Sequence, residues 1–421
     1  MNHSVRKLLT NMFFRKTKAN KTMKYFSIAP SVIYADVEWL DKEMSLSDVT
    51  SGKLENNHVE IIRKVTLVKD VEELQPLTLQ VQTEEFDSRM REIHHYFTSY
   101  TKSTSENGFA TVLVLLKDFY VAKNQIIIRS NDEMFALYEM NRTNERYLFG
   151  ENFFKSINWS NIVQIAPTAN SLVVVSAGSP NWGHFLVDEL PRICMFISET
   201  PIIEEINIYL YKHNSGQFNQ NRIEAIRILF PEHRVQCHLL DKGKVFYFES
   251  SKYYSPITFH PFHKNRSLTQ LPKLILNSRA EIGLGKTSRK LFCLRRNSAR
   301  SISEAGINSL RSLFEPLGFL FYYPEEHSVE NQFETFAAAD LIIGVMGAGM
   351  CNSLFTPSGS TVIYIAPEGW EETFFWNLAN QLEHNYHAYY SRTNMESETP
   401  EFNTLALDIE DFYTFYLDIG N

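Results

Sequence analysis

Four short apolar runs, Leu291–Leu294, Phe319–Tyr323, Leu341–Val345 and Val362–Ile365, alternate with helical stretches and constrain this chain more than any other feature. Runs too short for helices, separated by amphipathic segments, pack as an open parallel sheet covered by helices. The helix boundaries are also legible. Ser303 is an N-cap whose helix ends before Gly318 at C′, and Ser328 opens a second helix with Val329, Phe333, Phe336 and Ala337 on one face.

A second strand–helix rhythm runs from Ser171: strand Leu172–Ser176, helix Trp182–Ile197, strand Ile206–Tyr211, helix Asn221–Phe230 and strand Val245–Ser250. Before it, Thr111–Ala122, Gln125–Arg129 and Glu133–Tyr138, broken at Lys123-Asn124 and Asn131-Asp132, predict a β-meander that forms an entrance sheet. A connecting helix around Leu271–Ile282 sets the boundary between two lobes. Residues 36–110 are polar and acid-rich and predict a peripheral subdomain, with Ser99–Gly108 as a loop. The expected division is therefore 1–110 as basic tail and peripheral subdomain, 111–270 as an N-terminal α/β lobe and 271–421 as a C-terminal α/β lobe. A chain of 421 residues is too long for one ordinary core and agrees with that division.

The net charge of −8 supplies no global basic field, so nucleic acid is not an expected partner. Cys194, Cys237, Cys293 and Cys351 lack metal-ligand spacing and lie in or beside apolar runs; they read as buried free thiols in a reducing compartment, with no zinc. No apolar run is long enough to span a membrane, and no secretory leader is evident. Residues 1–30 carry Arg6, Lys7, Arg15, Lys16, Lys18, Lys21 and Lys24 without an acid, among Leu8, Leu9, Met12, Phe13 and Phe14. Such a segment either rests on an anionic membrane surface or is a frayed basic tail.

Three segments carry the candidate chemistry. Gly344–Asn352, with Met346, Gly347, Ala348 and Gly349, follows a strand end where a short helix should begin; glycines and free N–H groups there suit an anion, and a tight packing turn explains them equally. The G-x-x-G-x-G spacing is not the dinucleotide fingerprint, which disfavours an oxidoreductase. Arg295, Arg296 and Arg300 follow the first strand of the same lobe, on the edge where open parallel sheets bind ligands, and their guanidiniums suit a diphosphate. In Asn181–Arg192, helical spacing sets His184 and Asp188 at i and i+4, with Arg192 continuing that face past a kink at Pro191. Leu186, Leu190, Ile193 and Ile197 point to the core, leaving His184 and Asp188 towards a cleft.

In order and spacing, N-x-x-H-F-x-x-D-x-L-P-R at Asn181–Arg192, R-R-x-x-x-R at Arg295–Arg300, Gly318-Phe319, Glu326, Gln332, Ala339-Asp340 and G-x-x-G-A-G-x-x-N at Gly344–Asn352 resemble glycosyltransferase family 61. The resemblance covers roughly residues 110–390. That family includes plant xylosyltransferases, animal O-linked N-acetylglucosaminyltransferases and bacterial capsular-polysaccharide proteins. The resemblance implies two Rossmann-like lobes in a GT-B-like arrangement with an inter-lobe cleft, and inverting, metal-independent transfer of a hexose or pentose. A nucleotide-diphosphate sugar is the donor substrate, a glycan hydroxyl the acceptor, and no cofactor or metal is required.

By the same resemblance Arg296, Arg300, Gly347, Ala348, Gly349 and Asn352 bind the donor, and Asp188 with His184 is catalytic; Asn181, Arg192, Arg295 and Met346 are further cleft candidates. Two departures stand out: Met346 where the family pattern has histidine, and Ser303 where many members have asparagine. The absence of D-x-D agrees with metal independence. The expected setting is cytoplasmic, at or near the inner membrane face, in surface or capsular polysaccharide synthesis. The alternative is a catalytically degenerate two-lobed protein that binds a glycan or a partner enzyme, with Met346 as its main support.

Overall fold

A computed structural model describes residues 24–26, 58–66, 78–106, 110–130, 133–137, 156–175, 181–255, 257–259, 263–264, 266–279, 289–296, 299–394 and 402–419. Most of the basic segment 1–30 lies outside them. The described residues fall into two compact units, one within 1–71 and 101–268, the other within 72–100 and 269–421. Both contain sheet and helix, so the class is mixed α/β. Among the described residues no helix is long and apolar enough to cross a membrane.

The first unit is built on one sheet that opens with β1 (Lys24–Phe26) and β2 (Val59–Thr66). The next elements in the chain, β3 (Thr78–Gln80) and helix α1 (Glu84–Glu106), belong chiefly to the second unit. The first sheet resumes with β4 (Ala110–Ala122), β5 (Gln125–Ser130) and β6 (Glu133–Leu137), the expected antiparallel meander. Lys123 and Asn124 both adopt positive φ, 48° and 61°, the backbone of a two-residue hairpin turn that matches strand twist.

The sheet then takes in β7 (Ile162–Ile165), β8 (Ser171–Val174), β9 (Glu205–Tyr211), β10 (Arg234–Leu240) and β11 (Val245–Tyr254). Its order is β1-β6-β5-β4-β11-β8-β9-β10, with β2 also on β4 and β7 also on β11. β8, β9 and β10 are parallel, and β11 joins β4 antiparallel from Phe246↔Val121 to Tyr254↔Leu113. The meander is thus continuous with the parallel strands in one sheet. Val114, Leu116, Phe119, Phe248 and Tyr253 form one buried cluster across the joint, and splitting the sheet there would expose it.

Between β8 and β9 the chain makes one helical turn (Trp182–His184), a π turn (Phe185–Glu189) and helix α2 (Leu190–Ser198). Just ahead of Pro191, where a kink is expected, the run widens into this π turn, in which the Leu190 N–H reaches back to the Phe185 carbonyl. Proline has no N–H to donate, and the wide turn resets the ladder so that Pro191 falls in the first turn of α2, where a missing donor costs nothing. Helix α3 (Gly216–Leu229), capped by the Ser215 hydroxyl, connects β9 to β10.

A short hairpin, β12 (Thr258–Phe259) with β13 (His263–Lys264), precedes helix α4 (Arg266–Arg279), the connecting helix expected around Leu271–Ile282. The second unit holds β14 (Arg289–Cys293), helix α5 (Glu304–Phe314), β15 (Phe319–Tyr322), helix α6 (Val329–Ala337), β16 (Ala339–Val345), β17 (Thr361–Pro367), helix α7 (Phe374–Leu382) and β18 (Asn385–Ser391). A small β19–β20 ladder (Thr393–Asn394, Thr404–Leu405) and helix α8 (Ile409–Ile419) follow.

The order β15-β14-β16-β17-β18-β3 is parallel throughout. Ser303 and Ser328 cap α5 and α6 as expected, and Gly318 takes φ 86° at the helix end. The stretch 99–106, expected as loop, is the last part of α1. Phe86, Met90 and Ile93, spaced four and three apart, are its buried face and explain why it is helical.

Candidate active site

In the second unit the chain leaves β14, steps to β15 on one side, and returns to β16 on the other, so the strand order reverses between β14 and β16. Loops leaving the carboxyl ends of two such strands diverge and open a crevice. Cys293 of β14 pairs with Gly344 of β16, so Arg295 and Gly347 emerge side by side. A Cβ placed on Gly347 would lie 2.6 Å from Arg295 Nη1 and 3.6 Å from Arg300 Nη2. What glycine supplies there is space for the guanidinium, since φ is 166°, ordinary extended backbone.

Beyond Gly347 the expected short helix is a 3₁₀ helix, Ala348–Phe355. Asn352, fully buried, fixes the turn by donating to the Gly349 carbonyl and to Gln332 Oε1, each at 3.0 Å. Met346 is also fully buried: its N–H bonds the Ile365 carbonyl at 2.8 Å, and its own carbonyl accepts from Arg295 Nη1 at 3.5 Å. Beneath the loop, a Cβ on Gly349 would lie 3.1 Å from the Pro324 ring, and burial pushes the Cys293 thiol up, away from reactivity.

The three arginines are not equivalent. Arg295 and Arg300 meet the loop, and burial pulls the Arg295 guanidinium below its ordinary range, against the opposing field of Glu325. Arg300 stands at φ 64° with its N–H bonded to the Asn403 carbonyl at 2.9 Å, and its guanidinium lies 4.4 Å from the centre of the Trp370 ring. Arg296, expected to hold the donor, is turned to carboxylates: Nε donates to Glu326 Oε1 at 2.8 Å, the N–H donates to Glu325 Oε1 at 2.7 Å, and the guanidinium stacks 3.8 Å over Tyr323. Arg295, a further cleft candidate, lies with Arg300 beside Gly347.

In the first unit, Asn181 caps the helical turn, its side chain accepting from the Gly183 N–H at 2.8 Å. His184 Nδ1 lies 3.0 Å from Asp188 Oδ2 across the π turn. That carboxylate favours the tautomer with Nδ1–H, so the pair can act together on one proton. Both residues are buried, His184 9% and Asp188 5% exposed. Arg192, read as continuing their face, is 2% exposed and donates to the carbonyls of Asp188 (2.9 Å), Tyr254 (3.0 Å) and Val175 (3.5 Å). It ties the π turn to the ends of β8 and β11.

Two partners escaped the sequence reading. Arg222 of α3 donates to Glu189 Oε2 at 2.6 Å, a buried ion pair between α3 and the π turn, and to the Tyr211 carbonyl at the end of β9 at 2.8 Å. No local pattern links residues thirty-three apart. Trp370 was findable, because it follows β17 at the same carboxyl edge as Gly347.

Among the described residues no group of three or more His, Cys, Asp or Glu side chains is arranged to hold a metal ion. No curated protein sequence matches the chain. Residues 182–363, which carry the His184–Asp188 pair, the arginine turn and the glycine loop, match the family model described as Glycosyltransferase 61.

Proposed function

We propose that the protein is an inverting, metal-independent glycosyltransferase that moves a hexose or pentose from a nucleotide-diphosphate donor to a glycan hydroxyl, in surface or capsular polysaccharide synthesis. The observation that carries the reading is the meeting of Arg295, Arg300 and Gly347 at the carboxyl edge of the parallel sheet. Two guanidiniums drawn together against a glycine suit the charge of a diphosphate. The dense fixed positive charge there stabilises the leaving diphosphate.

In the transfer, the Asp188–His184 pair removes the proton from the acceptor hydroxyl. The acceptor oxygen bonds to the anomeric carbon while the bond from that carbon to the diphosphate breaks, its electron pair leaving with the diphosphate. One displacement inverts the anomeric centre. Arg192 and Asn181 hold the helical run that carries the pair, and Arg296, engaged by Glu325 and Glu326, supports the arginine turn.

A panel of nucleotide sugars with nucleoside-diphosphate release as readout tests the reading; release that depends on an added glycan acceptor supports it. A second reading, a non-catalytic glycan- or enzyme-binding protein, is favoured by one observation: Met346, at the family's histidine position, is sealed in the core where no donor reaches it. A folded protein that binds diphosphates yet neither hydrolyses nor transfers any sugar would establish that second reading.

A further inference from the structure

We propose that Trp370 is a positioning residue for the donor site: its indole holds the Arg300 guanidinium over Gly347, where the diphosphate binds. The inference rests on the donor-site reading above. Arg300 has a long side chain on a backbone at φ 64°, and left to itself such a chain samples many rotamers. The Trp370 ring, 4.4 Å from its guanidinium carbon, supplies the face that selects one of them.

The ring is itself fixed. The loop after β17 turns at Gly369, φ 87°, and the Trp370 N–H bonds the Pro367 carbonyl at 3.2 Å. On either side of Trp370 the loop is pinned to the start of α1 and the residue before it: the Thr83 hydroxyl donates to Glu368 Oε1 at 2.7 Å, and Arg89 Nε meets Glu371 Oε1 at 3.3 Å. A chain of contacts therefore runs from α1 through the 368–371 loop and the indole to Arg300 and Gly347. Its effect is pre-organisation: the guanidinium is already placed when the diphosphate arrives, so less rotamer entropy is lost on binding.

The test is calorimetric titration of the full chain with uridine, guanosine, cytidine and thymidine diphosphates, comparing wild type with Trp370→Leu, Trp370→Phe, Arg300→Ala and the Trp370→Leu/Arg300→Ala double variant. Trp370→Leu should weaken binding about 5- to 30-fold, and Trp370→Phe, which keeps an aromatic face, should recover most of it. In the Arg300→Ala background Trp370→Leu should cost nothing further, a coupling that general loosening of the loop would not produce.

Equal affinity in wild type and Trp370→Leu, or an undiminished Trp370→Leu effect without Arg300, overturns the proposal while leaving the donor site intact. Failure of the folded wild type to bind any of the four diphosphates overturns the donor-site reading and this proposal with it.

Discussion

Gly347 and Arg295 are placed so closely that a single methyl on the glycine would sit 2.6 Å from a guanidinium nitrogen. The atom in the way is the end of a flexible side chain, so Gly347→Ala should fold with little loss of stability and displace Arg295. Diphosphate affinity should fall about tenfold or more, the scale of losing a charge-assisted contact. Gly344→Ala is the contrasting case: its Cβ would meet Met350 Sδ at 2.2 Å and the Cys293 carbonyl at 3.0 Å. That overpacking should cost about 1–3 kcal/mol of stability in urea unfolding. The spatial argument for Gly347 is lost if Gly347→Ala binds diphosphate as the wild type does.

Asp188→Asn separates chemistry from donor binding. The variant keeps size and a hydrogen-bonding group beside His184 but removes the carboxylate charge, so transfer should drop by about 10²-fold or more. Diphosphate titration should be unchanged, because the arginine turn and glycine loop belong to the other unit. Wild-type turnover by Asp188→Asn would remove the carboxylate from the base role.

How far these residues were legible depended on whether the signal was local. The parallel strands were visible because strands buried on both faces are continuous apolar runs, and the caps at Ser303 and Ser328 because a hydroxyl at a helix start acts within three residues. Helix α1 was missed because the polar composition of residues 36–110 obscured the spacing of Phe86, Met90 and Ile93. The pairing of β3 with β18 joins residues some three hundred positions apart and leaves no local trace. Within the site, the arginine block and glycine loop were legible as a pair. Which guanidinium faces the loop depends on how the chain turns after Leu294, and that turn gives Arg295 to Gly347 and Arg296 to Glu326.

Three buried histidines make stability depend on pH. Burial lowers His94 to about 3, and His213 and His384 to about 4, from an ordinary value of 6.5. Between these values and 6.5 the unfolded chain binds protons that the folded protein does not, so stability is full above about pH 6.5 and falls as the pH drops towards 4. The urea midpoint should therefore be lower at pH 5 than at pH 7.5, and His94→Gln should reduce the difference. Identical midpoints at the two pH values would contradict the assignment of these rings as buried and neutral.

The Arg222–Glu189 pair gives the clearest stability prediction in the first unit. Both side chains are out of water, 1% and 9% exposed, and Glu189 is the last residue of the π turn that carries Asp188. Arg222→Met keeps the aliphatic length between the Phe185 and Phe218 rings but leaves a buried carboxylate without its countercharge, at a cost of about 3–5 kcal/mol. Replacing both partners, Arg222→Met with Glu189→Leu, removes the stranded charge and should recover most of that loss, although the Tyr211 carbonyl still loses a donor. Urea unfolding of the two singles and the double closes the cycle. A double variant no more stable than Arg222→Met would show that the arginine acts through the Tyr211 carbonyl and the flanking rings, and not through Glu189.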